Sequence, residues 1–147
     1  MVQETFETYA AIGQDTNLVT LLRTIPGVGP FTATALIAEI QDINKFSTGK
    51  SLVGFCGLDP KVRQSGNGLH HNTKITKRGS PYLRRVLYFS AGIASMHDKD
   101  LKGYYEKKRK EGRKHKEAVI ATARKLLYRV FAVWRRQTPY VVRSVNA

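Results

Sequence analysis

Between two apolar-periodic segments the chain reads Thr24-Ile25-Pro26-Gly27-Val28-Gly29-Pro30-Phe31, and this turn constrains the fold more than any other stretch. Ahead of it Leu18, Leu21, Leu22 and Ile25 recur at helical spacing; behind it Phe31, Ala35, Leu36 and Ile40 do the same. Two helices must therefore meet across a few residues, which predicts a helix-hairpin-helix at about 18–41. Both glycines are expected to need positive or otherwise unusual φ, letting the turn's backbone approach a phosphate, while the N–H groups opening the next helix attract the anion. Val28 between them is expected to pin the turn into the core. The bland reading is a tight helix connection with Gly as C-cap and Pro at the next N-terminus, but a bare cap does not need the second glycine.

Charge sharpens the point. The chain of 147 residues carries a formal net charge of +14. Residues 1–60 hold three basic and six acidic side chains, whereas residues 61–147 hold 22 basic and five acidic. Such asymmetry favours a polyanionic partner, because neutralising phosphates releases condensed counterions. The one cysteine, Cys56, lies in the apolar run Leu52-Val53-Gly54-Phe55-Cys56, so it predicts a buried structural thiol and no internal disulfide. No leader-like segment and no apolar run long enough to cross a bilayer is seen, and the expectation is a soluble cytoplasmic chain with no membrane partner.

Helix signals recur along the chain. Residues Glu4 to Ile12 read as a short helix, residues 1–17 forming the stub of an upstream connector. Asp15 or Thr16 caps a helix running to Arg23; a second runs from about Pro30 to Glu39 or Gln41; Ser47 or Thr48 caps a third through about Cys56. From 57 to 79 the composition shifts to Gly, Pro, Asn and basic residues, predicting a long irregular loop or a small β-hairpin around Gly66-Asn67-Gly68. Ser80-Pro81 then opens a strong helix with the apolar stripe Leu83, Val86, Leu87, Ser90, Ala91, Ala94. Another helix starts at Asp98 or Leu101, ends near Glu111 and is stopped by Gly112. The last spans about His115 to Arg136, with Val119, Ala123, Leu126, Leu127, Val130, Phe131 and Trp134 inward and Arg124, Lys125, Arg129, Arg135 and Arg136 outside. The fold class is mainly α, one helical domain over 18–147.

Metal and nucleotide chemistry fit poorly. The carboxylates are scattered, Asp98 and Asp100 look like capping residues, and the adjacent His70 and His71 would point to opposite faces of an extended segment, so no metal ligands are assigned. Gly49-Lys50-Ser51 resembles the end of a P-loop, but the first glycine of that motif would fall at Asn44. The loop is richer. Arg63-Gln64-Ser65-Gly66, with Lys74, Lys77 and Arg78 beyond it, places a hydroxyl among many phosphate donors, and a deprotonated Ser65 could act as a nucleophile there. Arg84 and Arg85 extend the basic surface onto the following helix.

Four ordered motifs carry a resemblance: Leu22-Arg23-Thr24-Ile25-Pro26-Gly27-Val28-Gly29, Phe55-Cys56-Gly57-Leu58-Asp59-Pro60, Gln64-Ser65-Gly66, and Lys77-Arg78-Gly79-Ser80-Pro81-Tyr82-Leu83-Arg84-Arg85. Together, over about residues 18–140, they resemble the C-terminal transposase domain of the bridge-RNA-guided insertion-sequence recombinases. The resemblance implies that Ser65 is a nucleophile attacking a DNA phosphate to give a phosphoserine; were Ser65 dispensable, Ser80 is the next candidate. Gly27, Val28, Gly29, Arg63, Lys74, Lys77, Arg78, Arg84 and Arg85 would hold DNA. It further implies an acidic, Mg-binding N-terminal RNase-H-like domain absent from this sequence, a guide RNA in the full-length protein, and a homo-oligomer. No cofactor is expected in this domain, and alone it should bind DNA but scarcely cleave it. The alternatives are a non-catalytic helix-hairpin-helix DNA-binding module, in which Ser65 is a turn residue, and a basic RNA-binding protein of ribosomal type.

Overall fold

The computed structural model describes residues 16–60, 75, 77 and 79–142. They form helices α1 (Thr16–Leu22), α2 (Pro30–Ile40), α3 (Gly49–Phe55), α4 (Pro81–His97), α5 (Lys99–Lys110) and α6 (His115–Arg136), with a single 3₁₀ turn, Ile43–Lys45, between α2 and α3. Helices α4, α5 and α6 pack on one another; α1 and α3 lie against α6, and α2 lies against α4 and α1. The expected mainly helical fold is present. The proposed connector helix over 4–12 and the hairpin around 66–68 lie outside the described residues.

The helix boundaries follow local chemistry. Thr48 accepts from the Ser51 N–H, Ser80 from Leu83 and Asp98 from Leu101, each side chain satisfying an orphan donor of the helix it opens. Gly112, at φ +92°, follows α5. All six residues of the expected α4 stripe are buried, and Leu87, Ala91 and Ala94 are wholly so. They meet Leu126, Leu127 and Val130 of α6 in one continuous core. A hydrogen bond of 2.7 Å between the hydroxyls of Thr32 and Ser90 ties α2 to α4 inside it.

Several inward and outward assignments change. Phe31 is 65% exposed rather than core, its ring edge-on to Tyr82 at 6.2 Å. At 100° per residue it lies about 140° around α2 from the buried Leu36, outside the arc that faces α4. Phe131 is only partly buried against the core. Arg129 is not solvated: its guanidinium reaches the buried Asp98 carboxylate at 3.1 Å and lies over the Tyr140 ring. Arg124 is half-buried too. Both arginines flank the apolar face of α6 and run their stems along it, ending on polar partners beyond it.

Candidate nucleic-acid interface

The turn between α1 and α2 is closed by its own backbone. Ile25 donates to the Leu22 carbonyl, Val28 to Ile25, and Ala33 to Gly29, while Val28 is buried as expected. The two glycines differ. Gly27 takes φ +90°, and a Cβ there would stand 2.5 Å from the Ala94 methyl and 2.8 Å from the Ser90 carbonyl. Its need for glycine is therefore satisfied within the molecule, by close approach to α4. Gly29 does not have the expected positive φ; it is extended (φ −88°, ψ −177°) as the N-cap of α2, and a Cβ there would meet nothing within 4 Å. Neither dihedral nor packing requires glycine at 29. The open space above its backbone, beside a helix N-terminus lacking a side-chain cap, leaves room for an anion to approach.

The second region is the root of the basic loop. Its two limbs run back to back: Pro60 and Ile75 form an isolated antiparallel bridge, and the Lys77 N–H donates to the Gly57 carbonyl at 3.0 Å. Gly79, at φ +81°, presses its backbone onto the Phe55 carbonyl at the end of α3, so tightly that a side chain would collide with it. Three helices hold this root. Arg84 of α4 donates to the Gly79 carbonyl at 3.3 Å, Arg124 of α6 donates to the Leu58 carbonyl at 3.0 Å, and the Ser80 hydroxyl donates to Glu39 of α2 at 3.3 Å. Burial weakens Arg124's hold on its proton, while the nearby Tyr104 supports it and Arg113 opposes it. Ser80 is thus committed twice, as cap of α4 and as donor to Glu39, which makes it a poor second candidate for a nucleophile.

Of the residues expected to meet DNA, Lys77 and Arg85 are exposed and Arg84 is half-buried against the loop root. Ser65, Arg63, Lys74 and Arg78 lie outside the described residues. Sequence reading missed Arg124 as a clamp, since its apolar neighbours Ala123, Leu126 and Leu127 mark only the face beside it. Among the described residues no group of three or more His, Cys, Asp or Glu stands together in a way that could hold a metal ion. Gly49 is glycine for packing, because a Cβ there would strike the Tyr128 ring. No helix among the described residues is long and apolar enough to cross a membrane.

Helices packed on one core, with open space at the Gly29 N-cap and a clamped loop root beside α4, define a single helical domain. Residues 19–106 match the sequence profile of the transposase IS116/IS110/IS902 family, and the chain belongs to that family. It is 34% identical to the pilin gene-inverting protein of Moraxella bovis, over 82% of this chain and 38% of that protein. It is 31% identical to an uncharacterized 43.6 kDa protein of insertion element IS110 from Streptomyces coelicolor, over 82% of this chain and 29% of the relative. The transposase for insertion sequence element IS1111A of Coxiella burnetii is 34% identical, over 81% of this chain and 33% of its own length. The chain thus spans less than two fifths of the curated relatives it matches.

Proposed function

We propose that this chain is the DNA-binding, nucleophile-bearing C-terminal domain of an insertion-sequence transposase that recombines DNA through a phosphoserine intermediate. The observation that carries this reading is that the loop bearing Ser65 leaves and re-enters a root clamped by arginines from α4 and α6 and by Ser80. The relatives' names, transposase and gene-inverting protein, agree with a DNA-recombining function.

In this reading the helix-hairpin-helix formed by α1, the turn and α2 holds a backbone phosphate at Gly29, with Gly27 and Val28 shaping the turn. Arg63, Lys74, Lys77 and Arg78 neutralise the phosphate that reacts, and Arg84 and Arg85 extend the positive surface. Ser65 Oγ loses its proton to a base and attacks phosphorus; a P–O bond of the DNA breaks and the DNA oxygen leaves as a hydroxyl. Attack of another DNA hydroxyl on the phosphoserine restores the serine and joins the new strand. Mg would be held by an acidic N-terminal domain of the full-length protein, as the resemblance to the bridge-RNA-guided recombinases implies. Base selection belongs to a guide RNA, and the working protein is a homo-oligomer.

Two measurements test this. DNA affinity of the 147-residue chain, followed by fluorescence anisotropy, should fall steeply with salt, the logarithm of the association constant dropping about 0.9 per phosphate neutralised for each decade of salt. Equal affinity at low and high salt overturns the electrostatic part. In the full-length recombinase, Ser65→Ala should abolish the covalent protein–DNA adduct on a denaturing gel while DNA binding persists. An adduct that survives removes Ser65 from the mechanism; loss of binding with it makes Ser65 structural and favours a non-catalytic DNA-binding module.

A further inference from the structure

Beside the loop root a groove of about 690 Å³ opens between α4 and the start of α6. Its lining is mostly apolar. Leu58 comes from the outgoing limb of the loop, Ile75 from the returning limb, and Tyr88 and Phe89 from α4. The two aromatic rings stand edge to face, 6.0 Å between centroids, and Phe89 is 62% exposed. On the solvent side Lys77, Arg85, Lys114 and Lys116 are all exposed, and Glu117 is the acidic residue of the lining. The groove thus combines an aromatic floor with a cationic edge, and it meets both limbs of the loop.

We infer that this groove binds an unpaired stretch of DNA strand, stacking a base on Phe89 and Tyr88 and placing its phosphates against Lys77, Arg85, Lys114 and Lys116. A duplex presents sugar and phosphate outward and keeps its base faces stacked, so it has nothing to offer an exposed phenyl ring. An unpaired nucleotide has both an apolar face and a charge, the two features this surface pairs. The volume lies in the range of small-ligand sites, which suits a splayed nucleotide rather than a double helix. The N-terminus of α6 adds to the cationic edge, since Lys114 at its N-cap position provides no side-chain acceptor for the first-turn N–H groups. The DNA source rests on the proposed role of Ser65: opening the strand next to the reacting phosphate would deliver unpaired nucleotides to the loop root.

The test uses the 147-residue chain with a fluorescein-labelled oligothymidine single strand and a duplex of matched length, both read by anisotropy. Phe89→Ala should weaken single-strand binding about tenfold, the loss of one base–aromatic stack, and leave duplex binding unchanged. Phe89→Trp should restore it. Lys114→Gln with Lys116→Gln should lower the salt slope for the single strand. A 5-iodouracil-substituted strand should photocrosslink to the peptide containing Tyr88 and Phe89. Equal loss for strand and duplex, no loss at all, or preferential binding of an oligouridine RNA over oligothymidine each overturns the proposal. Binding is measured without strand breakage, so failure at Phe89 and failure of the Ser65 adduct experiment are read separately.

Discussion

Arg124 Nη1 lies 3.0 Å from the carbonyl oxygen of Leu58, a hydrogen bond between α6 and the outgoing limb of the basic loop across 66 positions of sequence. The guanidinium is half-buried and the carbonyl belongs to a buried residue, so the contact is better insulated from water than a surface pair. Arg124→Met should keep the packing of the stem and remove the donor. The expected cost in stability is about 1–3 kcal/mol, by urea denaturation, from the carbonyl left unpaired. In the full-length protein, strand exchange should fall more than DNA affinity, and Arg124→Lys should recover part of it. Unchanged exchange would make Arg124 a stability residue only.

The two glycines of the turn should separate packing from binding. Gly27→Ala combines a positive φ, about 1–2 kcal/mol for an L-residue, with overpacking against Ala94 and Ser90 of about 1–3 kcal/mol. Its melting temperature should fall by roughly 10 °C. At Gly29 a Cβ would meet nothing within 4 Å, so Gly29→Val should keep the circular dichroism and cost only about 1 kcal/mol of N-cap preference while DNA affinity drops. Normal DNA binding by Gly29→Val would reduce the turn to a helix connection.

Asp98 closes the N-terminus of α5 through the Leu101 N–H at 2.9 Å and also pairs with Arg129 at 3.1 Å. The Asp98 carboxylate is buried, Asp100 stands farther from the same guanidinium at 3.8 Å, and the Arg129 Nη1 is buried with no hydrogen-bond partner, so that cation rests chiefly on Asp98. Asp98→Asn retains the cap and loses the charge, with an expected loss of about 2–3 kcal/mol; Asp98→Ala should lose about 1 kcal/mol more as the cap goes. Denaturant titration of both variants reads the two contributions separately. Equal stability of the two would mean that the cap contributes nothing.

Cys56 offers a pH test. Burial pushes its thiol up to about 12, with the Glu39 carboxylate acting in the same direction and Arg84 against it. The folded pKa lies above the unfolded one of about 8.5, so this contribution is fully present below about 8.5 and lost as pH rises toward 12. Between pH 9 and 10 the chain should lose up to about 1.4 kcal/mol more stability per pH unit than Cys56→Ala. In the native state the thiol should react with a disulfide reagent far more slowly than in urea.

Helix starts and stops were legible in the residues because capping is local: Thr48, Ser80, Asp98 and Gly112 each act within a turn of themselves. The α4 stripe was legible for the same reason, as its period reports one face. What sequence could not convey was the direction from which another element arrives. Phe31 falls just outside the α2 arc that α4 covers, and Arg124 and Arg129 look solvent-facing until the loop root and Asp98 are brought to them by the fold. Gly27 and Gly29 look alike in the sequence, yet only the former has α4 behind it. The role proposed for Ser65 rests on motif and chemistry, since a serine beside a glycine has no periodicity.

Because the Gly27 turn rests on Ser90 and Ala94 while the loop root joins α4 at Pro81, one uninterrupted helix sets the distance between the two regions. From Pro81 to Ser90 that distance is roughly 14 Å of axis at 1.5 Å per residue, about four base steps of a DNA strand at 3.4 Å. The helix is therefore a ruler as well as a core element. Inserting a single residue between Leu87 and Ser90 would lengthen it by only ~1.5 Å but swing one region about 100° around the axis relative to the other. The count of residues in this stretch is thus constrained separately from their kind, and a swap of side chains there should be better tolerated than a change of length.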